Sequence, residues 1–316
     1  MVLSPGDSGE AVRQLQRRWG AAGFLSFDAV TAGAYDAATE AAVRAFQVER
    51  GLAASGVCDD ATSQTLVEAA WELGDRPLSL RSPNLRGDDV AELQRLLSRL
   101  GFDCGRIDGI FGQLAHRAVS EFQSNAGVPT SGVCTIETVS LLRLLSRQTG
   151  DGPGISSVKE SESLRDGTPL TGKRVAVGQF GGYSELARRL VAALHEHGAL
   201  VVSTDDPDPV VQATSANEFG AELSIGLEAV ADRRSVVSYY QVPAFESAAG
   251  RTLARLIERH LRDVLHRPAV AGMRLPILRE TKMPAVLLTL GPETDVVERG
   301  SRVANAIYLA LTALSA

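Results

Sequence analysis

Residues 175–189, VAVGQFGGYSELARR, join a short β-branched run to an amphipathic helical pattern through a glycine-rich loop. Such a layout presents backbone N–H groups at the head of a helix, a setting for a phosphate or a catalytic side chain. The loop holds no Lys, His, Asp or Cys, so it brings no nucleophile, acid or base of its own. A tight glycine turn without a ligand is the plainer reading, and weak anion capture is the alternative. Other residues that could do chemistry are scattered. His195 and His197 are two apart and point to different sides of a helix. His260 and His266 are six apart, not the four of a helical metal pair. His116 lies on a predicted helix and is expected at its exposed side. Asp205, Asp206 and Asp208 sit among prolines, as in a solvated turn.

The elements that must position these groups belong to a long chain. Its 316 residues allow two or three domains, and 44% hydrophobic with 5% aromatic content fits a globular protein. A net charge of −6 argues against non-specific binding to nucleic acid or to an anionic membrane face. No apolar run reaches the ~18 residues of a membrane span. The opening MVLSPGDSGEAVRQL has neither a basic nor an apolar signal region, so a cytoplasmic location is expected. Cys58, Cys104 and Cys134 are expected as reduced, buried thiols.

The first half is a duplication. SGVC stands at 55–58 and at 131–134, and AAVRAFQ (41–47) matches RAVSEFQ (117–123) at the same offset. Upstream, GEAVRQLQRRWGAAGF (9–24) matches GDDVAELQRLLSRLGF (87–102) at an offset two residues longer, which places an insertion between Phe24 and Gly33. Each copy reads as three helices. Val12, Leu15, Gln16 and Trp19 form one apolar stripe, and Asp and Thr residues at 59–62 open a later helix.

Residues 148–172 are rich in Gly, Ser, Pro and charge without periodicity, the composition of a linker. Beyond them strands and helices alternate. KRVAV, ALVVS, AELSIGL, SVVSYYQV and PAVLLTLG read as strands. Helices are expected over 184–198, from Pro209, over 244–266 and over 295–314. The expected fold class is multidomain: two small all-α three-helix repeats, then an α/β layered domain with a mostly parallel sheet. The expected divisions are 1–75, 76–149, a linker at 150–171, and 172–316.

The pattern G..V..LQ..L...GF, then DGIFG, AV..FQ and SGVC...T...L, resembles the peptidoglycan-binding domain of bacterial cell-wall hydrolases, in both copies. The resemblance marks Arg106, Asp108, Gly109 and Phe111 as the loop that would meet a peptidoglycan fragment. Repeat 2 has Ala115 where the family often has Thr. Repeat 1 keeps Thr39, but its loop, AGAYDAAT, has lost the Asp.

The second half resembles the zinc-dependent N-acetylmuramoyl-L-alanine amidases, above all in ANEFGAELSIGLEA (216–229) and LRETKMPAVLLTLG (278–291). That resemblance implies a His ligand after the first strand, a Glu ligand before the first helix, a second His closing a middle strand and a catalytic Glu on the strand after MPAV. Three such ligands would hold zinc with an open position for a water. This chain has Phe180 near the first His position and no segment for the Glu ligand, since Glu185 comes one turn late. It has Glu228 at the second His position and Thr289 at the catalytic Glu position. One carboxylate does not hold zinc. No cofactor and no hydrolysis are therefore expected, and Phe180, Leu227, Glu228 and Thr289 become candidates for a binding pocket.

Taken together, the chain resembles the actinobacterial cytoplasmic amidase homologues of the CwlM type. That resemblance implies regulation of peptidoglycan precursor synthesis, phosphorylation by Ser/Thr kinases, and association with the UDP-N-acetylglucosamine enolpyruvyl transferase and the lipid II flippase. Ser156, Ser157, Ser161 and Ser163 would be linker sites for phosphate, and a muropeptide is a further possible ligand. Two alternatives stand beside it, a working zinc amidase and a plain peptidoglycan-binding module.

Overall fold

The structure, a computed structural model, describes residues 2–25, 33–147, 154–165 and 170–314, with the side chains at 161 and 163–165 excepted. Most of the insertion in repeat 1 and much of the expected linker lie outside the described residues. The chain divides into two compact units, Met1–Ser156 and Ser157–Ala316.

The first unit holds both repeats, as α1 (Glu10–Ala21), α2 (Ala37–Glu49) and α3 (Asp60–Ala69), then α4 (Asp88–Arg99), α5 (Gln113–Asn125) and α6 (Ile136–Ser146). Asp36 and Asp59 cap α2 and α3 by accepting from the N–H groups of Thr39 and Thr62. The stripe read from the sequence is the observed core of repeat 1, where Val12, Leu15, Trp19 and Phe46 are buried. Trp19 meets Phe46 edge to face at 4.6 Å, and Phe24 meets Phe46 at 5.2 Å. Repeat 2 builds the same core from Val90, Leu93, Leu97, Phe111 and Phe122. Each repeat is closed by two antiparallel bridges, Leu3 with Cys58 and Ser8 with Ala34 in the first, Leu78 with Cys134 and Arg86 with Ile110 in the second. Arg50 of repeat 1 pairs with Asp88 of repeat 2. Arg76, between the repeats, grips the fully buried carboxylate of Asp89 at 2.7 Å and lies over the Trp71 ring at 4.3 Å.

The segment read as linker contains α7 (Ile155–Arg165). It has almost no apolar stripe, so periodicity could not find it. Polar contacts hold it instead. Within the first unit, Ser156 Oγ donates to the Gly105 carbonyl at 2.6 Å, and its N–H donates to Ser98 Oγ at 3.1 Å.

The second unit runs β1 (Arg174–Gln179), α8 (Ser184–Glu196), β2 (Leu200–Thr204), α9 (Pro209–Phe219), β3 (Leu223–Ala229) and β4 (Ser235–Val242). It continues with β5 (Phe245–Glu246), α10 (Ala248–Leu261), β6 (Ala269–Met273), α11 (Pro276–Glu280), β7 (Ala285–Leu290), α12 (Glu293–Glu298) and α13 (Gly300–Ala313). The sheet order is β2-β1-β3-β7-β4, with β5 and β6 both paired to β4. Pairing is parallel except where β4 meets β7 and β5. Val175, Val177, Ile225, Leu227, Val286 and Leu288 fill one face under α8, α10 and α13. A smaller cluster around Ala176, Ala216, Ala221 and Met283 fills the other.

Two expected helices differ at their ends. The one expected over 244–266 begins only at Ala248, because Ser247 takes the cap position and accepts from the N–H of Gly250 at 3.0 Å. The one expected over 295–314 is split at Arg299 into α12 and α13. Strand β6 was not expected. No helix among the described residues is long and apolar enough to cross a membrane.

All three cysteines are buried and free. Burial pushes the thiols of Cys104 and Cys134 up to about 12 and that of Cys58 to about 11. They therefore stay protonated and slow to react at neutral pH. Thiol titration is expected to find all three after denaturation without reductant, and almost none in the native protein. A denatured count of one would reveal a disulfide and overturn this.

Candidate functional site

The two residues that the amidase resemblance singles out on separate strands are neighbours in space. Strands β3 and β7 pair in parallel, and the register sets Glu228 opposite Thr289. Thr289 Oγ1 donates to Glu228 Oε2 at 2.8 Å. Both are half-buried at the carboxyl ends of their strands, where open α/β sheets bind ligands. Phe180 follows β1 beside them, its N–H donating to the Leu227 carbonyl at 2.9 Å. Its ring covers Gly226, since a Cβ there would sit 3.4 Å from Phe180 Cε2 and 2.8 Å from Leu287 Cδ1. A side chain there would have to displace the tip of Leu287. On the rim, Asp232 pairs with Arg234 at 2.7 Å. That bond is the main reason Arg234 is held in its charged form, with Glu228 a smaller contributor.

Leu227 does not belong to this pocket. Alternation along β3 sends Leu223, Ile225 and Leu227 to one face and Ser224, Gly226 and Glu228 to the other. Leu227 is completely buried in the core beneath α8, α10 and α13. Phe180 and Leu287 supply the apolar surface around Glu228 instead.

The residues present do not fit zinc. At the positions that the resemblance marks for the two His ligands stand Phe180, which has no donor atom on its side chain, and Glu228, a single carboxylate hydrogen-bonded by Thr289. Glu185 stands on the first turn of α8, exposed and paired with Arg188 at 2.5 Å and Arg189 at 2.9 Å. Among the described residues no group of three His, Cys, Asp or Glu side chains could hold a metal ion. The glycines of the opening loop have a different use. Gly181 and Gly182 take φ of 99° and 79°, which turns the chain from β1 into α8. The buried Tyr183 pins that turn, donating its hydroxyl to the Leu290 carbonyl at 2.8 Å.

In the repeats, the glutamines of the LQ and FQ motifs are latches. Gln94, 1% exposed, donates to Asp108 Oδ1 at 2.9 Å and accepts from the Gly109 N–H at 2.8 Å. Gln16 does the same work in repeat 1, donating to the Ala34 carbonyl at 2.9 Å and to Thr39 Oγ1 at 3.0 Å. Thr39 therefore takes the place of the missing aspartate. Repeat 1 has Thr39 without the Asp, repeat 2 has Asp108 with Ala115, and each latch keeps one side-chain acceptor. Gln47 and Gln123 hold the SGV loops in the same way, Gln123 accepting from the Gly132 N–H at 2.9 Å. Of the four loop candidates, Phe111 is fully buried in the core and Gly109 is buried, while Arg106 and Asp108 are half-buried. Phe111 is a packing residue, like its counterpart Tyr35.

The other expected residues lie apart from the pocket's chemistry. His116 is half-buried, not exposed, and its Nδ1 bonds the Gly132 carbonyl at 3.1 Å. His197 stacks on Tyr308 at 4.3 Å. Ser156 is buried and engaged, so it does not offer a hydroxyl to a kinase. The side chains of Ser161 and Ser163 lie outside the described residues.

Comparison with known proteins adds to this geometry. A family described as "Putative peptidoglycan binding domain" matches residues 8–66 and 86–142. The N-acetylmuramoyl-L-alanine amidase CwlM of Mycobacterium tuberculosis is 34% identical over 350 residues of alignment, covering 96% of this chain and 85% of that protein. The N-acetylmuramoyl-L-alanine amidase CwlL of Bacillus licheniformis is 30% identical over 164 residues, 46% of each chain. Among solved structures, the CwlD amidase from Clostridioides difficile, in complex with the GerS lipoprotein, matches 45% of this chain and 98% of its own. Its identity is 13% and its TM-score 0.33.

Proposed function

The chain belongs to the family of N-acetylmuramoyl-L-alanine amidase homologues that includes CwlM, and we propose that within it this protein is a regulator and not a hydrolase. The observation that supports this reading is a strand-end site holding one carboxylate, Glu228, bonded by Thr289, with Phe180 packed on the neighbouring Gly226. Thr289 is a neutral hydroxyl, which leaves Glu228 as one carboxylate at the would-be metal site, and one carboxylate does not hold zinc. What remains is a cleft with one carboxylate, an apolar floor and an ion pair on its rim. That is a surface for a cationic side chain of a protein partner. A carboxylate there also repels an anionic muropeptide.

By family resemblance the partners are the UDP-N-acetylglucosamine enolpyruvyl transferase and the lipid II flippase, and the setting is the cytoplasm. The test has two arms. Purified peptidoglycan incubated with the protein and added zinc is expected to release no stem peptide. Release that is lost on chelation sinks the reading. In the second arm, purified transferase is expected to bind the wild-type chain and to bind Glu228→Lys more weakly, by about 1.5–3 kcal/mol for a charge-assisted bond. Circular dichroism controls for folding. Equal affinity would move the interface away from this cleft.

A second reading applies to the first unit. The family match covers both repeats, which favours capture of peptidoglycan fragments by the loops around Arg106 and Asp108. Titration with soluble muropeptides tests it independently of the amidase-like domain's state.

A further inference from the structure

A cavity of about 380 Å³ opens in the second unit between the β3–β4 connection, the end of α10 and the Gly291–Pro292 turn into α12. Its volume falls in the range of small-molecule sites, roughly 300–1,000 Å³. Arg233, Arg262, Arg299 and His266 line it, together with Asp263 and Asp295. The lining brings three guanidinium groups together with two carboxylates, and Glu258 pairs with one of the three from outside it.

The surrounding hydrogen bonds show what the arginines have left to give. The carbonyls just beyond α10 are already satisfied. Arg299 Nη1 donates to Val264 at 2.8 Å, and Arg302 Nη2 donates to Asp263 at 3.1 Å. Arg262 spends Nε and Nη2 on Glu258, at 2.6 and 3.0 Å, which fixes its plane and leaves its Nη1 edge. Arg233 is exposed and makes no ion pair among the described residues. All three arginines are exposed, Arg262 oriented by its two bonds to Glu258 and Arg299 by one bond to the Val264 carbonyl. Such forks match the oxygens of a phosphate better than a point charge does.

We propose that this cleft binds a phosphate-bearing small molecule, its phosphate held by Arg233, Arg262 and Arg299. The volume leaves room for a group of about sugar size beside the phosphate. The lining shares no residue with Phe180, Glu228 and Thr289, so the proposal does not depend on what fills their pocket.

The full chain is titrated by calorimetry with inorganic pyrophosphate, with orthophosphate and with sodium sulfate at matched ionic strength. Saturable 1:1 binding of a phosphate species is expected, tighter than any sulfate response. Arg233→Ala combined with Arg262→Gln is expected to weaken it at least about tenfold, since each removes a charge-assisted donor. The glutamine still reaches Glu258, and an unchanged melting temperature without ligand verifies the fold. Arg233→Ala alone, at an exposed residue, supplies a second variant with the same expected direction. Binding that both variants leave unchanged overturns the proposal. So does a response that sulfate reproduces, or no saturation at all.

Discussion

Replacing Asp89 by alanine is expected to lower the stability of the repeat pair by about 3–5 kcal/mol, the cost of stranding one partner of a buried ion pair. The Asp89 side chain has no exposed surface, and that of Arg76 has 18%. Arg76 donates through Nε to Oδ2 at 2.7 Å and through Nη2 to Oδ1 at 3.1 Å, and the same carboxylate accepts from the Val90 N–H at 2.9 Å. Without Asp89 the guanidinium stays on the Trp71 ring, bonded only to the Arg86 carbonyl at 2.8 Å. Its charge then has no counter-ion. Asp88→Ala removes the neighbouring pair with Arg50, whose aspartate is 34% exposed, and is expected to cost about 1 kcal/mol or less. Urea unfolding of the two variants decides it. If Asp89→Ala costs no more than Asp88→Ala, the buried pair is not what joins Arg76 to repeat 2. The aligned residue of repeat 1 is Ala11, so this fixture belongs to the second copy alone.

Much of this architecture was legible because its signals are local. The duplication, the helix stripes and strands β1, β3, β4 and β7 all rest on apolar periodicity or on β-branched runs within a few residues. The strand AVAGM at β6 carries no such signal, being short, glycine-containing and mostly half-exposed. Helix α7 was invisible for a related reason, since Ser156 and Glu160 anchor it through polar contacts. Within the second unit, Glu160 accepts from Ser247 Oγ and, at 3.1 Å, from the Ala248 N–H at the head of α10. Such contacts leave no period in the sequence.

The candidate site divides along the same line. The residue types at 180, 228 and 289 could be read from the chain, but the bond between Glu228 and Thr289 depends on β7 lying beside β3. That adjacency is a property of the sheet order. Leu227 is different. Its burial was in the sequence, because Leu223, Ile225 and Leu227 alternate with Ser224, Gly226 and Glu228. A period of two along β3 is enough to place Leu227 in the core and Glu228 in the cleft.

Gln94→Leu is expected to cost about 3–4 kcal/mol, because the glutamine is the hub of its loop: three hydrogen bonds worth about 1 kcal/mol each are lost, and one buried donor is left unpaired. The leucine fills the same space but leaves the Gly109 N–H unpaired and takes one donor each from Asp108 and the Ile110 carbonyl, groups that Gln94 reaches at 2.8, 2.9 and 3.2 Å. Asp108 keeps the Ile110 N–H, and the Ile110 carbonyl keeps the Gly112 N–H. Asp108→Ala is a milder lesion. It removes one acceptor from the latch and the bond from the Ile110 N–H at 2.8 Å, for about 1–3 kcal/mol. Repeat 1 contains the remedy. Its latch uses Thr39 as the acceptor, and the aligned position in repeat 2 is Ala115, which is buried. Adding Ala115→Thr to Asp108→Ala is therefore expected to recover about 1 kcal/mol, the net worth of one hydrogen bond. The same threonine beside an intact Asp108 should bring no gain, since it overfills a packed site. Urea unfolding of the four chains in this cycle reads the coupling directly. Additive effects would mean that Thr39 and Asp108 do not serve the same glutamine role. Muropeptide titration of the rescued variant then separates the two uses of Asp108. Restored stability with lost binding assigns the carboxylate to the ligand, whereas restored binding assigns it to the latch alone.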